Sequence, residues 1–320
     1  MSKKPVLWLP RKVSDATIAR ARQSYEVILN PADTPGTAED IIAMSARSDA
    51  MMPCHSEHFS AQVVAQLDPR LKIVANHSVG VDHCDLDALR ARGIVVTNTP
   101  DVLSDATAEL AMLLMLGAAR HAVMGDRLVR TGTWDSWSPA FMVGKQVTGA
   151  RLGIVGMGRV GRAFAAKARG FDMEIHYCNR NRLSPEQEQG ATHHATVDSL
   201  LEVADFLSLH CPATPDTQDL MNPERFARLP DGAVLVNTAR GALVDEDALL
   251  TAITSGKLAA AGLDCFKVEP GGNPAFAAHD NIFMLPHIGS ATTRTRDAMG
   301  FRALDNLDAF FAGKTPQDAL

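Results

Sequence analysis

Short apolar runs alternate with amphipathic stretches along almost the whole chain. In the first hundred residues the runs 6–9, 25–29, 50–54, 72–77 and 94–98 read as strands, with helices such as 14–23 and 38–46 between them. Residues 104–120 are apolar on nearly every side, the pattern of a helix buried between layers. Residues 131–148 break the rhythm with glycine, proline and two tryptophans, and read as an arm rather than a core element. From Arg151 the alternation restarts. Strands are predicted at 151–155, 173–178, 204–210, 233–237, 259–263 and 281–285, and a last helix at 292–311. Strands that alternate with helices in this way predict α/β architecture, with parallel sheets covered by helices.

The length of 320 residues suggests roughly two domains. Hydrophobic residues make up 46% and charged residues 21%, the balance of a soluble globular protein. The net charge of −6 comes without a basic block, so neither nucleic acid nor an anionic membrane is an expected partner. The apolar run near the N-terminus is too short for a secretory signal, and the longest strongly apolar stretch, 110–119, is too short to span a bilayer. Five scattered cysteines (Cys54, Cys84, Cys178, Cys211, Cys265) read as free thiols, and a reducing, cytoplasmic location is expected. Cys54, His55 and His58 are metal-ligand types, but their spacing fits no compact zinc pattern, so no metal is expected.

The first chemical signal lies between the strand 151–155 and the helix after it. Gly156, Gly158 and Gly161 stand at the G-x-G-x-x-G spacing. Gly156 allows a tight turn, Gly158 a close approach to a pyrophosphate, and Gly161 close packing of helix on strand, with the helix N-terminus facing the phosphates. The turn Gly156, Met157, Gly158, Arg159, Val160, Gly161 is therefore a candidate dinucleotide site. An acidic residue at the end of the following strand would serve the ribose hydroxyls of NAD. Here Asn179 takes that place, with Arg180 and Arg182 beside it. A carboxylate would repel a 2′-phosphate, whereas arginines pair with one. NADPH is the expected cofactor, with NADH as the alternative.

Three further polar groups end strands of the second half, where open α/β sheets bind ligands. Thr238-Ala239-Arg240-Gly241 follows one strand. Asp264 ends the next, with Glu269 five residues on, and Pro286-His287-Ile288-Gly289 ends the last. Arg, Glu and His are what reduction of a 2-keto acid requires. A guanidinium binds the carboxylate and polarises the carbonyl, an imidazole protonates the developing alkoxide, and a glutamate keeps an imidazole protonated.

The segments 236–245, 262–270 and 285–292, with the glycine turn and Asn76-His-Ser-Val-Gly-Val-Asp82, resemble the D-isomer specific 2-hydroxyacid dehydrogenase family in identity and in order along nearly the whole chain. The resemblance implies two Rossmann-like domains with doubly wound parallel sheets, the cofactor domain being inserted into the substrate domain. On that pattern 1–99 and 288–320 form the substrate domain and 100–287 the NAD(P)-binding domain. The resemblance also implies Arg240, Glu269 and His287 as the catalytic set, and substrate binding by Arg240 and the backbone N–H groups of Val79 and Gly80. Asp264 is implied near the nicotinamide carboxamide and Thr107 in the cofactor cleft. His210, Cys211 and Pro212 fall beside the adenine, while Thr217, Thr238, Ala239, Arg240, His287 and Gly289 complete the implied cofactor contacts. Within the family, the Asn179–Arg182 segment resembles NADP-preferring glyoxylate/hydroxypyruvate reductases. Trp137 matches a tryptophan that reaches the neighbouring subunit's active site there and limits substrate size. The implied reaction is NADPH-preferring reduction of glyoxylate and hydroxypyruvate to glycolate and D-glycerate, with His287 as proton donor, in a homodimer. The alternatives are a sister dehydrogenase with another substrate and a non-catalytic, dinucleotide-sensing interaction protein.

Overall fold

The apolar runs of the first hundred residues form a five-stranded sheet, all parallel, in the computed structural model, which describes residues 3–320. Its strands are β1 (Val6–Leu9), β2 (Glu26–Leu29), β3 (Ala50–Met51), β4 (Ile73–Ala75) and β5 (Val95–Thr97), in the order β2-β1-β3-β4-β5. β1 is buried on both faces, which is why it reads as unbroken Val-Leu-Trp-Leu rather than as an alternation. One face carries Trp8, Ile41, Phe59 and Leu89. The other carries Leu7 and Leu9 with Ala303, Leu304 and Leu307, which belong to the helix Thr293–Phe311 far along the chain. Thr292 caps that helix by accepting from the Thr295 N–H at 3.1 Å. Asn306 and Arg302 then grip Asp318, and the Leu320 N–H donates to the Val96 carbonyl at 3.0 Å.

The remainder builds a seven-stranded parallel sheet: β6 (Arg151–Val155), β7 (Glu174–Cys178), β8 (Thr192–His193), β9 (Phe206–Leu209), β10 (Ala233–Asn237), β11 (Leu258–Leu263) and β12 (Ile282–Met284). The order is β12-β11-β10-β9-β6-β7-β8, so the winding reverses between β6 and β9. A reversal of this kind opens a crevice at the carboxyl ends of the two strands. One face is covered by a cluster with Leu200, Leu207, Leu235, Leu249 and Phe276, and the other by one with Leu114, Met115, Ile154, Phe164 and Phe206. The helix Ser104–Ala119 lies in the second cluster with most of its residues buried, as its all-round apolarity predicts. Gly262 on β11 lets it come close: a Cβ there would stand 2.8 Å from the Leu114 Cβ and 2.9 Å from its carbonyl oxygen.

The chain divides into two units, the described residues up to Leu103 with Ala291–Leu320, and Ser104–Ser290. The breaks stand at 103/104 and 290/291, where the sequence suggests 99/100 and 287/288. The expected class, two doubly wound parallel sheets with one unit inserted in the other, is the observed one. Two elements were not anticipated. β8 adds two residues to the sheet edge, and a helix Ala122–Thr131 follows a break at His121, whose φ is 53°. None of that helix's residues is fully buried, and Met124, Gly125 and Leu128 are half-buried along one side. Residues 131–140 are exposed throughout, as expected of an arm. Among the described residues no single helix is long and apolar enough to cross a membrane, and all five cysteines are free thiols.

Candidate active site

The glycine turn is built as its spacing requires. Gly156 has φ of +91°, and its N–H donates to the Cys178 carbonyl at 3.0 Å. A Cβ on Gly156 would lie 2.5 Å from the Cys211 nitrogen, so the turn passes hard against the segment leaving β9, at the reversal of the sheet. A Cβ on Gly161 would lie 2.5 Å from the Gly156 carbonyl oxygen. Over Gly158, by contrast, no heavy atom comes within 4 Å of the Cβ position, and no side chain caps the helix Arg159–Ala168 that starts beside it. Open space, bare backbone and an uncapped helix N-terminus are what a pyrophosphate needs, so the turn fits a dinucleotide. Met157 is 1% exposed, Val160 is partly buried, and Arg159 is exposed.

At the end of β7 the three candidates for the ribose end part company. Asn179 accepts from the Met157 N–H through Oδ1 at 2.6 Å, which ties the strand end to the glycine turn. Arg180 is exposed. Arg182 is engaged elsewhere. Its Nε and Nη2 donate to Glu188 at 2.8 and 3.2 Å, and the Tyr177 hydroxyl donates to the same carboxylate at 2.6 Å. Arg182 and Tyr177 together hold the Glu188 carboxyl down to about 2. The sequence gives no hint of this clamp, because nothing in the spacing of Tyr177, Arg182 and Glu188 shows that the short helix Pro185–Glu188 returns to the strand. His210 shares a 2.8 Å hydrogen bond with the Ser208 hydroxyl, and burial pushes the ring down to about 4. Burial pushes the adjacent Cys211 thiol up to about 11. Thr217 spends its hydroxyl on its own turn, donating to the Pro212 carbonyl at 2.9 Å and accepting from the Thr214 N–H at 2.8 Å.

The ends of β10, β11 and β12 carry the expected catalytic types. Asn237 closes the turn after β10 by donating to the Arg240 carbonyl at 2.8 Å and accepting from the Ala239 N–H at 3.0 Å. Arg240 in turn donates from Nη1 to the Ala239 carbonyl at 2.8 Å. Thr238 Oγ1 is buried without a hydrogen-bond partner. Asp264, 1% exposed, accepts from the Ile288 and Gly289 N–H groups at 2.8 Å each, and burial raises its pKa. It thereby locks the turn that follows His287. Thr107 belongs to the same spot: a Cβ on Gly289 would stand 3.2 Å from Asp264 Oδ2 and 3.3 Å from Thr107 Cγ2. His287 itself has φ of 55°, a left-handed conformation uncommon outside glycine. Its Nδ1 meets Glu269 Oε2 at 2.6 Å, and Glu269 Oε1 accepts from the Phe266 N–H at 2.8 Å. The dyad is partly exposed, at 30% for His287 and 22% for Glu269.

In the flanking unit the loop after β4 has its carbonyls tied inward. Asn98 Nδ2 donates to the Val79 carbonyl and Ser78 Oγ to the Gly80 carbonyl, both at 2.8 Å. The N–H groups of Val79 and Gly80 donate to no acceptor among the described residues. Consecutive unpaired N–H groups of this kind suit a carboxylate. In the arm, Trp137 is 73% exposed.

The model of the D-isomer specific 2-hydroxyacid dehydrogenase NAD binding domain matches residues 112–289. Glycerate dehydrogenase of Hyphomicrobium methylovorum is 42% identical over 322 residues, covering 100% of both chains. Among solved structures, one from Polaromonas sp. JS6 66 described as a D-isomer specific 2-hydroxyacid dehydrogenase has a TM-score of 0.94 at 44% identity, covering 99% of each chain. An NADPH-dependent glyoxylate/hydroxypyruvate reductase of Sinorhizobium meliloti, solved with NADP and malonate, has a TM-score of 0.87 at 31% identity, covering 99% of this chain and 97% of that one.

Proposed function

The chain belongs to the D-isomer specific 2-hydroxyacid dehydrogenase family, and from that premise we propose that it reduces glyoxylate and hydroxypyruvate to glycolate and D-glycerate, preferring NADPH. The observation that carries the reading is the 2.6 Å contact of His287 with Glu269, at the carboxyl ends of the strands, where Arg240 also follows β10. The relative from S. meliloti, named as NADPH-dependent and as acting on both substrates, supports the substrate class and the cofactor.

Glu269 takes up Nδ1 of His287, so Nε2 is the nitrogen left to serve the substrate. Protonated at Nε2, His287 gives its proton to the carbonyl oxygen as that oxygen becomes an alkoxide. The Glu269 carboxylate orients the ring and balances its charge before transfer. Arg240 pairs with the substrate carboxylate and draws electron density from the neighbouring carbonyl. In the flanking unit, taken by itself, the backbone N–H groups of Val79 and Gly80 are a further candidate anchor for a carboxylate. When bound, the cofactor supplies the hydride that reduces C2. The Gly156–Gly161 turn holds its pyrophosphate, Arg180 its 2′-phosphate, and His210, Cys211, Pro212 and Thr217 the adenine side. Thr107, Thr238, Ala239, Asp264 and Gly289 hold the nicotinamide end, and the unpartnered Thr238 hydroxyl supports a ligand contact there. A homodimer in which Trp137 of one subunit restricts the site of the next completes the reading, and the free thiols suit a reducing cytoplasm.

The test is the initial rate of NADPH and NADH oxidation, at equal cofactor concentration, with glyoxylate, hydroxypyruvate and pyruvate. Fast turnover of the two small substrates with NADPH is the expected result. Faster turnover with NADH overturns the cofactor assignment, and no turnover with any pair overturns the reaction. His287→Ala is expected to lower kcat by about 10²–10⁴. A near-normal kcat would move the acid to another residue.

A further inference from the structure

We propose that Glu246 is a positioning residue for the proton donor: it fastens both sides of the loop that carries Glu269, and thereby holds Glu269 on His287. The inference rests on the reading of His287 and Glu269 given above. The loop runs from the end of β11 to Asn273 without regular secondary structure, and includes Gly271 and Gly272 at φ of 122° and 72°. Val268 in its middle is 66% exposed. Nothing in a strand or helix ladder keeps such a segment in one conformation.

Glu246 supplies the missing constraint. Its Oε1 accepts from the Lys267 N–H at 2.9 Å, two residues before Glu269. Its Oε2 accepts from Asn273 Nδ2 at 3.0 Å, four residues after Glu269. Glu246 is free to do so because Asp245, not Glu246, caps the helix Glu246–Thr254, accepting from the Asp247 and Ala248 N–H groups. Two further contacts act in the same sense. Lys267 Nζ pairs with Asp219 at 2.6 Å. The loop backbone at Phe266 and Lys267 also lies so close over Gly241 that a Cβ there would collide with it. The residue after Arg240 and the loop bearing Glu269 are therefore in close contact, and Glu246 is the side chain that ties the loop down on both sides of Glu269. The charged and titratable groups around this loop are Asp219, Asp245, Glu246, Asp264, Lys267, Glu269 and His287.

The experiment compares Glu246→Ala, Glu269→Gln and the double variant, as full-length protein, by kcat and by KM for substrate and cofactor. Glu269→Gln is expected to lower kcat with both KM values little changed, because it acts on the proton donor rather than on binding. Glu246→Ala is expected to do the same to a smaller extent, with kcat down about tenfold and both KM values within about twofold. In the Glu269→Gln background, Glu246→Ala is expected to cost little more, since it acts through Glu269. Glu246→Gln keeps one acceptor on the loop and is expected to fall between wild type and Glu246→Ala; it also serves if the alanine variant fails to fold. If Glu269→Gln leaves kcat in place, the role given to Glu269 itself fails. If Glu269→Gln lowers kcat but the Glu246 variants do not, or if the losses simply multiply in the double variant, the positioning role is wrong.

Discussion

Arg180 and Arg182 are two residues apart and have different fates. Both side chains reach solvent, but Arg182 is bound to Glu188, so we expect the larger share of a 2′-phosphate contact from Arg180. Arg180→Ala is expected to raise the KM for NADPH by about tenfold or more and to leave that for NADH little changed. Arg182→Ala is expected to lower the melting temperature and to affect both cofactors alike. Steady-state kinetics with each cofactor checks this, and equal effects of Arg180→Ala on the two would sink the 2′-phosphate role. The same clamp has a pH signature. The Glu188 carboxyl is held at about 2 against an ordinary 4.5, so it favours the unfolded state as pH falls. Its stabilisation is present above pH 4.5 and is lost as pH drops toward 2. His77 and His210 act in a higher window. Burial holds both at about 4 against an ordinary 6.5, so the unfolded chain takes up their protons first. Their stabilisation is present above pH 6.5 and drains as pH falls toward 4. Urea midpoints at several pH values are expected to fall across that window, and the fall to be shallower in His77→Gln. An unchanged slope in that variant would remove His77 from the account.

Elements differ in how plainly they announce themselves. β1, β6 and β10 are buried on both faces, and their apolar runs were legible because polar residues enter them only at an end, Arg151 opening β6 and Asn237 closing β10. The helix Ser104–Ala119 was legible for the same reason. The helix Ala122–Thr131 was not, because only Arg120 and His121 separate it from the helix before it, and β8 is two residues long with a threonine and a histidine. The catalytic types could be placed at strand ends from the sequence, but the ties between them could not. Asn237, Glu246 and Asp264 act through backbone N–H and carbonyl groups that no residue pattern displays. Two predictions belong here. Gly262→Ala puts a methyl against Leu114 and is expected to cost about 1–3 kcal/mol in urea unfolding; a neutral result would mean the helix shifts freely. Trp137→Ala is expected to favour bulkier 2-keto acids relative to hydroxypyruvate, measured as a ratio of kcat/KM values. An unchanged ranking would return Trp137 to a packing role.

At the scale of the whole molecule, the alternation of strands and helices was enough for the fold class, but not for the insertion of one unit in another. That came from the resemblance to the D-isomer specific 2-hydroxyacid dehydrogenase family. No local property of residues 291–320 says that they return to a sheet laid down two hundred residues earlier. They nevertheless supply Ala303, Leu304 and Leu307 to the face of that sheet formed by Leu7 and Leu9. The consequence reaches into biosynthesis. A ribosome finishes the N-terminal sheet first, yet the helix that covers one of its faces emerges only after the inserted unit, on the order of 10–40 s later at ordinary elongation rates. The inserted unit is contiguous and reaches its native state while the older segment still waits. Through that interval the helix Asp15–Ser24 alone covers that face, with Ala21 beside Leu7 and Leu9, and the part later filled by Ala303, Leu304 and Leu307 stays open to water, so this is the stage at which misassembly of the nascent chain is most to be expected.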